Sequence, residues 1–324
     1  MTNAKTLAVL SALKKAMILV AFTTSAHAAF PEKEITIVVG FSAGGLADIG
    51  ARTWADAAST ILGKRVIVLN KVGGGGVIAA NDVARAAPDG YTLNFFTPGP
   101  FVVQPHFQEV AYKVPDSFVP IITQYINPII IAAPVDAPYS NLKEMIAYAK
   151  ARPGELRYSA SSPSGIERFA MERLQQAAGI RVAIIPYKSS SEAATAVIGK
   201  HVELVTAYYP DLQRYFDSKM LKPITSLGYD RNDLPTGSIP TAREEGVNVV
   251  GVTYSGLLAP KGTPKAVIDV LHDAFRKAQE TPQFKESMER IGMKVKYMNG
   301  AEFGQLIARE YEDNGVIIKK LGLK

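Results

Sequence analysis

Cysteine is absent from the 324 residues, and histidine occurs only four times. Without thiols there is no disulfide, no thiolate nucleophile and no cysteine-bound metal. No H-x-x-H, H-E-x-x-H or acid–histidine cluster is present, so no metal site is expected. Long basic runs and repeated basic–aromatic patterns are missing, and with them any footprint for nucleic acid. Past the N-terminal segment, no stretch is apolar for long enough to span a bilayer. There is also no repeat of fixed period and no low-complexity tract.

What is present begins with a targeting segment. Lys5, Lys14 and Lys15 form a basic region, and Ala16–Phe22 is an apolar core too short to cross a membrane. Ala26-His-Ala28 reads as a small-x-small cleavage site, so residues 1–28 are expected to be a cleaved export signal to the periplasm, with Ala29 or Phe30 as the mature start. An N-terminal anchor is the alternative, and the shortness of the apolar run argues against it. The segment holds no acid, so its three lysines account for half of the formal +6 and leave +3. That excess is compatible with an anionic ligand. A mature chain of roughly 295 residues is long enough for two α/β domains.

Strand-like and helix-like segments alternate almost throughout, which argues α/β with a mostly parallel sheet. The run Ile35–Val39 is apolar on both faces, as in a buried parallel strand, and Gly40-Phe-Ser-Ala-Gly-Gly45 then turns the backbone into a helix. Such a unit aims free N–H groups and the positive end of a helix dipole at one point, which suits an anion. Strands are expected over Arg65–Leu69, Tyr91–Phe96 and Ile129–Ala133, with a glycine loop at Gly73–Gly76 and a helix over Val77–Ala87. A second series follows, with helices Leu142–Ala151, Ile166–Ala178 and Glu192–Ile198 and strands Leu156–Ser159, Val182–Ile185 and Val202–Thr206. Extended apolar runs near Ile129 and Val250 flank it, and helices near Pro264–Glu280 and Ala301–Leu321 close the chain. Two lobes joined by two crossover strands are therefore expected: 29–131 with 253–324 as lobe 1, and 132–252 as lobe 2. A cleft and a hinge come with that topology.

Several motifs invite sharper readings. Gly40-Phe-Ser-Ala-Gly44 fits the G-x-S-x-G nucleophile elbow, which would make Ser42 the nucleophile of a secreted hydrolase. Against it, the elbow falls on the first strand, and none of His106, His201 and His272 sits in a catalytic pattern; a turn needing small residues explains it. Gly74–Ala79 fits G-x-G-x-x-A, but the next strand ends at Thr97 without the acid that would meet a ribose, so a flexible glycine loop is expected. The loop Ser159-Ala-Ser-Ser-Pro-Ser-Gly165 opens another helix. Its serines and N–H groups could bind a carboxylate, or Ser162 or Ser164 could simply cap the helix with Glu167 in its first turn. Arg168 could pair bidentately with a carboxylate or be a solvated arginine. Lys188 could face the cleft or solvent. Asp48 sits in the first turn after the glycine loop, where it complements the helix dipole or accepts a hydrogen bond from a ligand or bridging water.

These residues together resemble one family. Phe30-Pro-Glu-Lys-Glu-Ile-Thr-Ile-Val-Val39 with Phe41-Ser-Ala-Gly-Gly45 and Asp48, then Ala86–Leu93, Pro186-Tyr-Lys188, Gly256–Pro264 and the Pro282–Gly292 segment, follow the order of the substrate-binding receptors of tripartite tricarboxylate transporters, the Bug receptors. The resemblance runs over essentially the whole mature length. It implies a bilobal periplasmic-binding-protein fold of type II, with two Rossmann-like lobes, no catalysis and no cofactor. It further implies an organic acid, whether dicarboxylate, tricarboxylate or aromatic acid, held between the lobes of a monomeric receptor that docks on permease subunits of a tripartite transporter.

In that picture the ligand carboxylate meets Phe41, Ser42, Ala43, Gly44 and Gly45, with Phe41 flanking it and Asp48 reaching it directly or through water. Ser159, Ser161, Ser162, Ser164, Gly165 and Arg168 close from the second lobe. Thr97, Lys188, Tyr208 and Tyr254 complete the expected lining. Four places depart from the family pattern: Ala47 for threonine, Lys71-Val72 for Arg-Pro, Ser164-Gly-Ile-Glu-Arg168 for Gly-Ser-x-x-His, and Tyr254 for tryptophan. Losing a hydroxyl and gaining an arginine suggests a shifted or larger anion. A receptor that signals to a membrane kinase would share the same sequence features.

Overall fold

A single long strand organises the molecule. The computed structural model describes residues 30–163, 165–234 and 236–323, so the expected export signal and Ser164 fall outside the described residues. Ten strands form one mixed sheet, ordered β2-β1-β3-β9-β4-β7-β5-β6, with β8 and β10 also pairing with β4. β4 runs over Phe118–Pro134. Its first part, to Pro128, lies antiparallel to β9 (Val252–Pro260), and from Ile129 onward its partners are β7 (Leu204–Tyr208) and β8 (Leu221–Ser226). Proline has no N–H to give a ladder, and Pro128 stands where the ladder changes partners.

On one side of that changeover, β1 (Ile35–Val39) lies parallel to β2 (Val66–Asn70) and β3 (Thr92–Phe96), and β3 lies antiparallel to β9. On the other, β5 (Arg157–Ala160) is parallel to β6 (Ala183–Pro186) and β7. The sheet is thus mixed where a mostly parallel one was expected. The antiparallel pairs all involve the strands that carry the chain between the halves.

Helix α1 (Leu46–Leu62) follows β1 directly and buries Trp54 against Phe275 of α7 (Lys265–Glu280) and Phe284 of α8 (Pro282–Arg290), with centroids 5.1 and 6.4 Å away. The Trp54 indole N–H donates to the Phe275 carbonyl at 2.9 Å. On the opposite face, Phe96 stacks on Phe101 and Tyr254 and meets Phe303 of α9 (Gly300–Lys320) edge-on at 5.1 Å. The C-terminal helices therefore pack on the half that holds β1. Arg173 ties α4 (Ile166–Ala178) in the second half to Glu310 and Asn314 of α9.

Helices α2 (Val77–Ala84), α3 (Leu142–Ala151) and α5 (Ser190–Ile198) follow the expected pattern with shifted ends. The structure adds α6 (Tyr209–Asp217), α8, β8 and the two-residue β10 (Lys294–Val295), and it starts β4 eleven residues before the expected Ile129. Residues 247–250, expected as part of an extended run, precede β9 outside the assigned strand, and the Gly251 carbonyl accepts from the Ile129 N–H of β4 at 2.9 Å.

Candidate functional site

The parallel strands β1 and β3 end on the side where β5 and β7 also end, and the loops that follow carry most of the expected residues. At the first of these, Gly44 takes φ +80, a conformation open to glycine, and Gly45 is the N-cap of α1 with no side chain capping it. Asp48 supplies the missing acceptor from the third position of the helix. Its carboxylate accepts from the Gly44 N–H at 2.9 Å, Arg52 Nε at 3.0 Å and Asn70 Nδ2 at 2.8 Å, with Arg52 Nη2 also at 2.9 Å. Asn70 donates to the Phe41 carbonyl as well, so one amide ties both ends of the loop. Burial pushes the Asp48 carboxyl up, but the hydrogen bonds from Arg52, Gly44 and Asn70 outweigh it and hold the pKa at about 2.

Asp48 is therefore the organiser of the loop, its charge matched by Arg52. Asp48 stands in the first turn of the helix, as the dipole reading expects, and its carboxylate oxygens are already engaged by protein donors. Arg52 and Asn70 were missed from sequence. The i,i+4 spacing of Asp48 and Arg52 was a usable signal; Asn70 comes from another strand and left none. Ser42, Ala43, Gly44 and Gly45 are exposed.

Two glycines hold this loop against the next. A Cβ on Gly40 would lie 2.7 Å from the Gly76 Cα, and one on Gly76, at φ +93, would lie 2.5 Å from Pro100. The glycine run is thus a packed turn entering α2, where a flexible loop was expected. Gly40→Ala is expected to force the two loops apart, costing about 1–3 kcal/mol and weakening ligand binding together. Urea unfolding and calorimetry on the variant check both; unchanged stability would show that the backbone yields freely.

On the second half, Gly165 is the N-cap residue of α4; of the two serines expected there, Ser164 lies outside the described residues. Glu167 is only 4 % exposed, and its carboxylate accepts from Ser161 Oγ at 2.8 Å. Burial pushes its pKa up, and nearby Asp211 adds to the rise. Ser162 lies beside Gly165. Ser159 is fully buried, with its hydroxyl on the Ala193 and Leu204 carbonyls at 2.9 and 3.2 Å, so its side chain serves the fold and not a ligand. Arg168 Nη1 donates to the Pro163 carbonyl at 2.6 Å and the guanidinium faces Glu172 at 3.9 Å, while its buried Nε has no hydrogen-bond partner among the described residues.

The remaining expected residues divide. Thr97 directly follows β3, its buried hydroxyl without a hydrogen-bond partner among the described residues. Lys188 is exposed at the start of α5, its backbone N–H donating to Glu192. Tyr208 ends β7, and its side chain bonds to Thr253. Tyr254 is 0 % exposed and stacked on Phe96, which makes it core and removes it from the lining. A tyrosine one place further along the strand would face the other way, and sequence periodicity alone did not fix the phase. Among the described residues the histidines are employed elsewhere than at Ser42: His106 stacks on Tyr311, His272 bonds Asp273 and Tyr297, and His201 lies beside Gly199. Among the described residues no group of acids and histidines is arranged to hold a metal. A separate cavity of about 640 Å³ lies between α4 and α9, by the Arg173–Glu310 pair, and holds none of the expected ligand residues.

Two half-sheets sharing long strands, with helix-opening loops at facing strand ends, define a bilobal solute-binding protein of type II. The comparisons with known proteins agree. The family model described as "Tripartite tricarboxylate transporter family receptor" matches residues 50–323. A Cupriavidus necator protein encoded in the gbd 5' region is 37% identical over 302 residues, 91% of this chain and 89% of that protein. A TctC solute-binding protein from Polaromonas, solved without ligand, superposes with a TM-score of 0.83 at 27% identity, covering 90% of this chain and 99% of that one. Rpa4515 of R. palustris, solved with adipate, matches at a TM-score of 0.71 and 24% identity, covering 90% and 98%.

The chain belongs to the tripartite tricarboxylate transporter receptor family. Members of that family are periplasmic substrate-binding receptors and not enzymes, and they work with tripartite permeases.

Proposed function

We propose that this chain, exported by a signal ending near Ala28, captures a small organic acid between its halves as a monomer and delivers it to a tripartite permease. One lobe would comprise 29–131 and 253–324, the other 132–252. The observation that carries the reading is the first loop. Ser42–Gly45 are exposed at the N-terminus of a seventeen-residue helix whose own acid is neutralised by Arg52. Such an end retains the electrostatic preference for an anion, with backbone N–H groups to meet it. At 24% identity the adipate-bound neighbour speaks only for the fold. The carboxylate class rests on the family and on this loop.

Binding to loops on both halves favours the closed arrangement by the ligand's differential affinity for it. Isothermal calorimetry of the mature chain against mono-, di- and tricarboxylates and aromatic acids tests the proposal. At least one acid is expected to give saturable heat. Ala43→Asp, which sets a like charge on the exposed loop, is expected to weaken that binding more than tenfold without lowering Tm. Absence of binding across the panel overturns the reading.

A further inference from the structure

The cavity of about 640 Å³ between α4 and α9 is walled by both halves of the molecule. Arg173 comes from α4, Arg309, Glu310 and Asp313 from α9, and Tyr229 and Arg243 from the segment between β8 and β9. The lining thus holds three guanidiniums and two carboxylates. Arg173 Nη2 has Glu310 at 3.2 Å and Asn314 at 2.7 Å. Among the described residues Arg243 and Arg309 have no carboxylate at ion-pair distance, and their acceptors are the two ends of one residue. Arg243 donates to the Tyr229 carbonyl at 3.5 Å and Arg309 to the Tyr229 hydroxyl at 3.4 Å. Contacts that long are at the outer limit of a hydrogen bond, and a better acceptor displaces them readily.

Two buried donors in the same region have no hydrogen-bond partner among the described residues: Arg173 Nε and the Tyr254 hydroxyl. Tyr254 is 0 % exposed and lies within the field of Glu310, Tyr229, Arg173 and Arg309, all of which line the cavity. A donor left unmatched in the interior costs free energy until an acceptor arrives. Around this one space, then, donors exceed acceptors and positive charge exceeds negative.

We propose that this cavity is a second anion site, apart from the cleft loops, and takes an extended organic dianion with an oxyanion group at each end. Arg243 and Arg309 stand at opposite ends of one tyrosine, so a ligand that meets both must present acceptors at two separated points. The planar fork of a guanidinium suits carboxylate and phosphate alike through paired N–H donors. Val249 and Val250 give the lining an apolar part for the ligand's body. Because α4 and α9 belong to different halves, an occupant ties the halves together and favours the arrangement that forms the cavity. This site is independent of the receptor reading above.

Calorimetry on the full mature chain at fixed ionic strength tests it, with adipate and terephthalate as two-ended carboxylates and fructose 1,6-bisphosphate as a two-ended phosphate. Acetate, benzoate and methyl phosphate are the one-ended controls. At least one two-ended anion is expected to bind at least tenfold tighter than its control, both in the parent and in Ala43→Asp, and the arm that binds names the oxyanion. Arg243→Gln and Arg309→Gln, both at exposed side chains, should each weaken it at least tenfold, with circular dichroism confirming the fold. Unchanged affinity in either variant, equal binding of the one-ended controls, or no binding at all overturns the second site. A heat that disappears in Ala43→Asp belongs to the cleft loop; it overturns the second site and supports the receptor reading.

Discussion

Replacing Asp48 by alanine is expected to lower stability by about 2 kcal/mol at neutral pH and to weaken ligand binding with it. The variant leaves the Gly44 N–H, the Asn70 amide and the Arg52 guanidinium without their shared acceptor. The loop that presents Ser42–Gly45 then loses the tie that sets its path. The sign of the pH dependence follows from the depressed carboxyl. Held at about 2 against an ordinary 3.8, Asp48 gives its full contribution above the unfolded value. The contribution is lost as pH falls from about 4 toward 2, so the parent's stability has an acid limb there that the variant lacks in part. Chemical unfolding of both proteins between pH 2 and 7 measures it. Coincident acid limbs and unchanged affinity would return Asp48 to a minor role.

The largest loss of stability is expected from Trp54→Ala, about 3–5 kcal/mol. The indole is fully buried between α1, α7 and α8, and its N–H is the donor to the Phe275 carbonyl. Truncation opens a cavity and orphans that carbonyl at once. Trp54→Phe keeps part of the volume and should recover part of the loss. Urea midpoints at constant slope m report the difference. A cost under 1 kcal/mol would mean that the three helices collapse onto the vacated space.

Much of this architecture is legible in the sequence because buried parallel strands read as unbroken apolar runs. Ile35–Val39 with its glycine turn needs no tertiary information to be placed. β4 is harder: Pro120, Gln124, Asn127 and Pro128 interrupt its pattern, and the strand is recognisable only through the two sets of partners that share it. Helix α6 opens with Tyr209 and Pro210 straight after a strand, with no side chain capping it, so no start signal marks it. At the site, the residue types were visible but their employment was not. Ser159 and Tyr254 look like ligand residues by type, and their partners in space, two carbonyls and an aromatic stack, assign them to the fold. Glu167 was visible as a first-turn acid, while its burial and its bond from the Ser161 hydroxyl were not.

The shared strand has one more implication. Were the polypeptide severed between Pro128 and Ile129, the first fragment would keep most of β4 but lose β9, which lies between β3 and β4, and both fragments would be left with unpaired strand edges. Neither half is a module that could be transplanted alone. The receptor must be assembled, inherited and degraded as one cooperative object, hinge included.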